Sequence, residues 1–273
     1  MPELPEVEII KQSLTKTIIG KKILEVQKNR PNLRYLIPPN LHYNTVGYHI
    51  IDVRRRAKFL LMDLNNNFSL ILHLGMTGKI LLKEQNTKLD KHDHVIIKLC
   101  GNNQLVFNDQ RRFGMIDLVE SHKLQSSKWL ANIGPEPLLR EFNYNYLYST
   151  LKNKIAPIKN IIMNNHIIAG VGNIYANESL FTARINPCKL SRNLSNNQII
   201  NLVNSIKKTL NKAIKLGGSS LKDFVDTLGK KGDFQDNFSI YGRENQSCII
   251  CNNKINKIKL AGRSTFFCNI CQQ

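Results

Sequence analysis

The sequence predicts an α+β protein with an antiparallel β-sheet domain, a helical domain and a hairpin held by a metal ion, in that order. Three observations lead to this prediction. Short apolar runs separated by polar turns occupy the region before residue 108, and the apolar period changes from two to 3.6 after residue 139. Two C-x-x-C pairs lie in the last 26 residues.

The first element is predicted to be a short amphipathic helix, because Val7, Ile10 and Leu14 recur at helical spacing. Strands follow. The runs KFLLMDL and FSLILHLGM flank an asparagine turn at 65–67, and HVIIKLC is joined to QLVF by a Gly-Asn-Asn turn at 101–103. Short strands joined by polar turns predict an antiparallel sandwich or barrel.

The segment NIGPEPLL at 132–139 interrupts this pattern with two prolines and a glycine, so the first domain is predicted to cover 1–131. The clearest later helix is predicted to begin at Ser195, with Gln198 completing a capping box, and to end at the glycine pair 217–218. A helical domain over 132–242 and a cysteine hairpin over 243–273 complete the predicted organisation.

The charge balance predicts a polyanionic partner. The chain has 39 Lys and Arg against 20 Asp and Glu, a net charge of +19. Nucleic acid is the first candidate; an acidic lipid surface, a ribosomal neighbour or a lysine-rich proteome are the alternatives. No apolar run approaches the roughly 18 residues that a membrane span needs. We expect a cytoplasmic protein, because the start lacks a secretory signal and the cysteines suit a metal.

The four cysteines at the end of the chain predict a structural zinc site. Each C-x-x-C forms a knuckle that directs two thiolates to one point, and two knuckles complete the tetrahedral coordination that zinc prefers. A redox pair or two disulfides would not need two matched knuckles. The predicted ligands are Cys248, Cys251, Cys268 and Cys271.

Three further segments have the composition of nucleic-acid contacts. Arg263 lies near the hairpin tip, where Gly262 allows close backbone approach, and the Gly-Val-Gly-Asn turn at 170–173 opens a helix whose amide hydrogens suit a phosphate. NDQRRFG places Arg111 and Phe113 at a predicted strand start, and HLGMTG ends a strand. Phe or Met beside arginine suits insertion into a base stack, but both also suit a core.

The opening MPELPEVE suggests an N-terminal nucleophile. Removal of Met1 would leave the secondary amine of Pro2, and α-amino groups have pKa values near 8, so a useful fraction is neutral at neutral pH. Attack on a sugar C1′ would give an iminium ion, and Glu3 could donate a proton to the opening sugar. Pro and Glu are also common in the first turn of any helix.

These motifs occur together and in order. PELPEVE, RRAKFLL, HLGMTG, NDQRRFG, AGVGNIYANESLF, GGSSLKDF, YGRENQSC and AGRSTFFCNICQQ closely resemble the bacterial formamidopyrimidine-DNA glycosylase family over the whole chain. The resemblance implies an N-terminal β-sandwich, a helix-two-turn-helix domain and a zinc finger, with damaged double-stranded DNA in the cleft between the domains. It also implies base excision repair by a monomer associated with the nucleoid through DNA.

The resemblance also implies a role for each matching residue. Pro2 becomes the Schiff-base nucleophile and Glu3 its proton donor, Lys58 serves β-elimination, and Arg263 serves δ-elimination. Met76, Arg111 and Phe113 are similar to the trio that fills the space left by an extruded base. The implied DNA contacts as a whole are His73, Met76, His92, Arg111, Phe113, Lys154, Asn173 and Tyr241.

The sequence departs from the family at a few places. Gln110 stands where proline is usual, MNNH at 163–166 replaces a more acidic stretch, and 217–233 matches the lesion-capping loop only in outline. One alternative is the endonuclease VIII type, which acts on oxidised pyrimidines; Leu4, Met76 and Phe113 argue against it. The other is a noncatalytic zinc-finger DNA-binding protein, which only Pro2, Glu3 and Lys58 distinguish from the enzyme.

Overall fold

The computed structural model describes residues 2–220 and 224–273, and the chain forms two compact units. Unit 1 comprises Met1–Asn132 and Gly217–Asp233, and unit 2 comprises Ile133–Leu216 and Phe234–Gln273. The three-domain division with boundaries at 131/132 and 242/243 stays a prediction. Among the described residues, no helix is long and apolar enough to cross a membrane.

Unit 1 begins with helix α1 (Leu4–Ile18), which confirms the predicted N-terminal helix. Glu3 is the N-cap, and its side chain accepts a hydrogen bond from the backbone N–H of Glu6 while the Glu6 carboxylate accepts one from the Glu3 N–H at 2.7 Å. This reciprocal capping box satisfies two helix-end donors at once. The residues Val7, Ile10 and Leu14 are buried, as their spacing predicts.

Two four-stranded antiparallel sheets make up most of unit 1, which confirms the predicted β-sandwich. The first sheet has the order β1-β6-β7-β5, with β1 (Ile23–Lys28), β6 (Asp93–Leu99), β7 (Asn103–Asp109) and β5 (Gly78–Glu84). The second has the order β2-β3-β4-β8, with β2 (Ile50–Arg56), β3 (Phe59–Leu64), β4 (Phe68–His73) and β8 (Met115–Glu120). Apolar side chains of both sheets and of α1 share one buried core.

A segment distant in sequence completes unit 1. Residues 217–233 leave the end of the last helix, and their two ends pair through a β-bridge between Ser219 and Asp233. The backbone N–H of Leu82 in edge strand β5 donates to the carbonyl oxygen of Thr227 at 2.8 Å. Gly232 is required here, because a Cβ atom at this position would lie 2.0 Å from the carbonyl oxygen of Gly217. The lesion-capping prediction also covers residues 221–223, which lie outside the described residues.

Unit 2 is helical, with α2 (Tyr144–Leu151), α3 (Ile158–Ile162), α4 (Asn173–Thr182) and α5 (Asn196–Lys215). The prediction for α5 is confirmed: Ser195 is its N-cap, the Ser195 and Gln198 side chains form the capping box, and the helix stops before Gly217. Short 3₁₀ turns occur at Pro39–Leu41 and Ser121–Lys123 in unit 1 and at Ser191–Asn193 and Phe234–Asn237 in unit 2.

The end of unit 2 is a two-stranded antiparallel hairpin, β9 (Asn256–Leu260) paired with β10 (Arg263–Phe267). Its two turn residues, Ala261 and Gly262, both have positive φ, which is the backbone twist that tight hairpins favour. A small core beside the hairpin contains Phe181, Ile240 and Phe266 together with two of the cysteines.

Candidate active site and nucleic-acid interface

The predicted nucleophile and proton donor lie at the start of α1. Pro2 is buried, and Glu3 is only 3% exposed. The neighbouring carboxylate of Glu6 links this start to the segment 217–233, because one of its oxygens accepts from the Glu3 N–H and the other accepts from the Ser219 N–H at 2.8 Å. The conformation of the first residues and that of residues 217–219 are therefore held by one buried side chain.

Lys58 lies in the tight turn between β2 and β3, where Ala57 has a φ of 52°. Arg55 braces this turn: its guanidinium donates to Glu8 of α1 at 2.7 Å and to the carbonyl oxygen of Ala57 at 3.1 Å. Burial opposes ionisation of Glu8, but the hydrogen bond and charge of Arg55 outweigh it and lower the pKa of that carboxyl. The ion pair therefore fixes the Lys58 turn against α1.

His73 ends β4, opposite Phe59 in the register of the sheet, and the two rings pack with centroids 4.9 Å apart. Burial, together with the positive charges of Lys58 and Arg34, lowers the pKa of His73 to about 4. The imidazole is neutral at neutral pH. Its Nδ1 accepts from the Gly75 N–H at 3.0 Å, so the ring proton resides on Nε2, where it can be donated to an oxygen acceptor.

Met76 and Phe113 lie on two loops in close contact. A Cβ on Gly75 would lie 2.3 Å from the carbonyl carbon of Phe113, so only glycine allows this approach. Both Met76 and Phe113 are about two-fifths exposed, at 40% and 42%, rather than in the core. The Arg111 guanidinium lies over the Phe113 ring, 4.6 Å from its centroid.

Asp109, at the end of β7, fastens these loops together. Its buried carboxylate accepts from the Thr77 hydroxyl at 2.5 Å and from the Gly114 N–H at 2.7 Å. The placement of Arg111 and Phe113 at a strand start was wrong. They lie in the turn before β8, whose first residue is Met115, because the Asp109 bonds and the positive φ of Arg112 turn the chain there.

Two hollows adjoin these loops. One, of about 420 Å³, is lined by Leu33, Arg34, Arg111, Arg112 and Phe113. The other, of about 400 Å³, includes His92, Lys79, Lys83 and Gln110 in its lining. The three arginines of the first hollow suit an anionic ligand, whereas the second hollow contains Asp90 beside its two lysines.

In unit 2, Asn173 and Arg263 are brought close together by the hairpin. Asn173 begins α4 after the N-cap Gly172, as predicted for the glycine turn, and its side-chain amide donates to the carbonyl oxygen of Ser264 at 3.1 Å. The buried Lys159 ammonium donates to the same carbonyl at 3.0 Å and to the Thr265 hydroxyl at 2.7 Å. Arg263 itself is exposed at the tip.

Tyr241 lies against the other face of the hairpin, with its ring 5.2 Å from that of Phe266. Its backbone is held by Glu178 of α4, whose buried carboxylate accepts from the N–H groups of Ser239, Ile240 and Tyr241 at 2.8–3.0 Å. Lys154 follows α2 and is exposed, and no contact among the described residues joins it to Asn173, Tyr241 or Arg263.

The four cysteines converge as predicted, with all four Sγ atoms within 4.8 Å of one another. Sγ distances of 3.9 Å for Cys248–Cys271 and 3.4 Å for Cys251–Cys268 exceed the length of a disulfide and are near the roughly 3.8 Å between sulfurs bound to zinc at about 2.3 Å. A backbone N–H of Asn253 lowers the pKa of Cys251 to about 6, whereas burial and the adjacent thiols raise that of Cys271 to about 12. Four thiolates this close need a cation, so the set fits a metal.

Several supporting residues were not predicted from the sequence, namely Glu6, Asp109, Lys159 and Glu178. Glu178 lies within a segment that the sequence singles out for its glycine turn, and Asp109 lies within NDQRRFG. Lys159 carried no sequence signal, since a single lysine between Ile158 and Asn160 resembles any surface lysine.

Comparison with known proteins defines the class. Residues 1–116 match the model of the formamidopyrimidine-DNA glycosylase N-terminal domain, and residues 133–225 match that of the formamidopyrimidine-DNA glycosylase H2TH domain. A β-sandwich followed by this helical domain and a four-cysteine hairpin is the architecture of the helix-two-turn-helix DNA glycosylases. The chain belongs to the formamidopyrimidine-DNA glycosylase family.

Individual relatives match over the full chain. The formamidopyrimidine-DNA glycosylase of Rickettsia conorii is 50% identical over 272 residues, covering 100% of this chain and 99% of the relative. A mutant Fpg of Lactococcus lactis in complex with Fapy-dG containing DNA has a TM-score of 0.93 and 36% identity. Wild-type Lactococcus lactis Fpg with an oxidised pyrimidine containing DNA has a TM-score of 0.91 and 36% identity; both structures cover 100% of each chain.

Proposed function

We propose that this protein is a bifunctional DNA glycosylase and AP lyase of base excision repair, which flips oxidised purines out of duplex DNA, excises them and then nicks the strand. The substrates are 8-oxoguanine and formamidopyrimidines. The observation that carries the proposal is the combination of Pro2-Glu3 at the cap of α1 with the braced Lys58 turn and the exposed Met76 and Phe113 loops, in a chain of this family.

The chemistry begins at Pro2, once Met1 has been removed. The proline nitrogen attacks the sugar C1′, the bond to the base breaks, and the base leaves with a proton. When the sugar ring opens, the C1′–O4′ bond breaks and the nitrogen lone pair forms an iminium with C1′, which acts as the electron sink for loss of the C2′ proton and the 3′ phosphate. Glu3 donates the proton that opens the sugar ring, and Lys58 assists β-elimination. Arg263 contacts the phosphate that leaves in δ-elimination.

The exposed loops act on the DNA rather than on the chemistry. Met76 and Phe113 enter the base stack where the damaged nucleotide has left, and Arg111, which lies over the Phe113 ring, reads the orphaned base. His73, with its proton on Nε2, donates to a backbone phosphate, and His92, Lys154, Asn173 and Tyr241 provide further DNA contacts.

One Zn²⁺ would be held by Cys248, Cys251, Cys268 and Cys271. Its role is structural: a closed set of four thiolates leaves no position for substrate. Fixing the two knuckles gives β9 and β10 a stable base, and the hairpin in turn presents Arg263. We propose that residues 243–273 are this finger and that 1–131 and 132–242 are the sandwich and helical domains.

A second substrate class is favoured by one observation. The Lactococcus lactis Fpg has been crystallised with an oxidised pyrimidine containing DNA. We include oxidised pyrimidines as secondary substrates, whereas the presence of Met76 and Phe113 continues to favour oxidised purines as the principal ones.

The test is covalent trapping. Borohydride should reduce the iminium and join the mature protein irreversibly to a duplex containing 8-oxoguanine opposite cytosine. The matched control is the same protein with an uncleaved N-terminal extension, which turns the Pro2 nitrogen into a non-nucleophilic amide. Glu3→Gln should bind DNA but lose base excision and suffer less on a preformed abasic site. Efficient trapping by the extended protein, or none by the mature one, would overturn the assignment of Pro2.

A further inference from the structure

A strongly basic region of unit 2 surrounds Lys154. Between Phe142 and Leu216 the sequence contains ten Lys or Arg residues and one acidic residue, Glu178. The Glu178 carboxylate is buried and accepts hydrogen bonds from three backbone N–H groups, so it does not neutralise any surface cation. The surface of this part of the chain is therefore strongly positive.

Three of these cations, Lys154, Lys189 and Arg192, lie on two segments that pair through their backbones, and Lys152 lies two residues before Lys154. The segment after α2 runs antiparallel to the segment before α5: the Arg192 N–H donates to the Lys154 carbonyl at 3.0 Å, and the Ile158 N–H donates to the Lys189 carbonyl at 2.8 Å. Pro157 and Leu190 form a β-bridge between them. We call the resulting set of Lys152, Lys154, Lys189 and Arg192 the basic ridge.

The side chains of the basic ridge are available to a ligand. Three of them are exposed and Lys189 is half-buried. Within residues 2–220 and 224–273, none of the four forms an ion pair with a carboxylate. By contrast, six of the described lysines and arginines of unit 1, among them Arg55 and Lys83, are paired with carboxylates. The backbone hydrogen bonds hold like charges on adjacent segments, and an anion between them would reduce their mutual repulsion.

We infer that the basic ridge is a duplex-backbone binding site in which Lys189 and Arg192 contact phosphates next to the one bound by Lys154. This inference rests on the proposed function, which gives the protein a DNA duplex and assigns Lys154 to it. Paired segments separate opposite residues by about 5 Å, and phosphates follow one another about every 3.4 Å along the axis of each strand. Long side chains on both segments can therefore reach neighbouring phosphates of one backbone.

The ligand chemistry is phosphate, not base. In the part of the chain that the structure describes, none of these four side chains contacts an aromatic ring, so the basic ridge offers charge and hydrogen-bond donors but no aromatic surface for stacking. Such contacts position a protein on DNA and do not discriminate sequence or damage. We therefore expect the basic ridge to contribute equally to damaged and undamaged duplex.

The experiment compares the full chain with a Lys189→Gln, Arg192→Gln double variant. Affinity for a duplex with a stable abasic analogue, and for the undamaged duplex of the same sequence, is measured by fluorescence anisotropy between 50 and 400 mM KCl. Each lost phosphate contact should reduce the slope of log K against log salt by about 0.9, so the double variant should lose about 1.8. At 0.1 M salt each contact corresponds to roughly an eightfold loss on both duplexes.

The matched control is Lys208→Gln, Lys212→Gln, which removes the same charge from exposed positions on α5. A slope change in this control equal to that of the basic-ridge variant would overturn the inference, because the effect would then come from net charge. An unchanged slope in the basic-ridge variant would overturn it as well, and would leave an acidic protein as the alternative partner. Arg192→Lys should keep the wild-type slope. Failure of the wild-type protein to excise 8-oxoguanine would instead count against the proposed function.

Discussion

Replacing Asp109 by Asn should test whether this carboxylate positions Met76 and Phe113, the two side chains proposed to enter the base stack, in addition to stabilising the sandwich. The buried Asp109 carboxylate accepts from the Thr77 hydroxyl and the Gly114 N–H, and so joins the loop of Met76 to the loop of Phe113. An amide at this position removes the negative charge and can turn an NH₂ group toward one of these two donors. Weakening two charge-assisted hydrogen bonds and leaving a buried donor unpaired should cost about 2–4 kcal/mol.

The assays are thermal unfolding and single-turnover excision of 8-oxoguanine at saturating enzyme, the excision measured well below the unfolding transition of each variant. We expect excision by Asp109→Asn to be about tenfold slower, because Met76 and Phe113 side chains displaced by part of an ångström no longer align with the opened base stack of the DNA. The matched control is Asp63→Asn. Asp63 is a nearly buried carboxylate in the same unit that accepts from Arg54 at 2.6 Å and Ser69 at 2.6 Å and lies on β3. The control should be destabilised similarly but excise normally; equal excision by both variants would refute the reasoning.

Substitutions of His73, Phe113 and Cys268 test three further features of the protein separately. The pKa of His73 is about 4 in the folded chain against 6.5 as its ordinary value, so the unfolded chain binds more protons between these values and stability falls as the pH decreases through that range. His73→Gln should remove up to about 3 kcal/mol of this pH dependence, measured by urea unfolding at pH 7 and pH 4.5, and an identical pH profile would contradict it. Phe113→Ala should slow base extrusion, followed by the fluorescence of a reporter base beside the lesion, more than it weakens binding to undamaged duplex; equal losses would mark Phe113 as structural. Cys268→Ser should release zinc, measured by a chromophoric chelator, and weaken DNA binding while the sandwich stays folded, because the metal holds a hairpin with little core of its own; unchanged DNA affinity in verified zinc-free protein would count against the finger's role.

How far the sequence predicted the fold depended on where each strand lies in its sheet. The four apolar runs identified as strands are β3, β4, β6 and β7, and these are the central strands of the two sheets. Edge strands carry more polar side chains, so the apolar runs by which a strand is recognised in the sequence are weaker there. β2, for example, contains three arginines, and the start of β8 was misplaced by a loop that Asp109 holds.

Prediction of the candidate site was limited in a different way. Residues inside contiguous motifs, such as Pro2 and Phe113, could be named because their neighbours in sequence identify them. Lys159 could not, since its contacts with Ser264 and Thr265 lie more than 100 residues along the chain. The contacts of Glu178 with residues 239–241 depend in the same way on the tertiary fold.

The bond from Leu82 to Thr227 has a consequence for synthesis of the protein. Strand β5 is a sheet edge, and the carbonyl that accepts its Leu82 N–H belongs to a residue 145 positions later. At roughly 5–20 residues per second, a ribosome needs about 7–29 s to supply that residue. During this interval the nascent sandwich presents an open edge to other chains, which is the kind of surface that recruits strands from neighbours. We therefore expect fragments that stop before residue 217 to aggregate, and the complete chain to be more prone to aggregation while it is being made than after release.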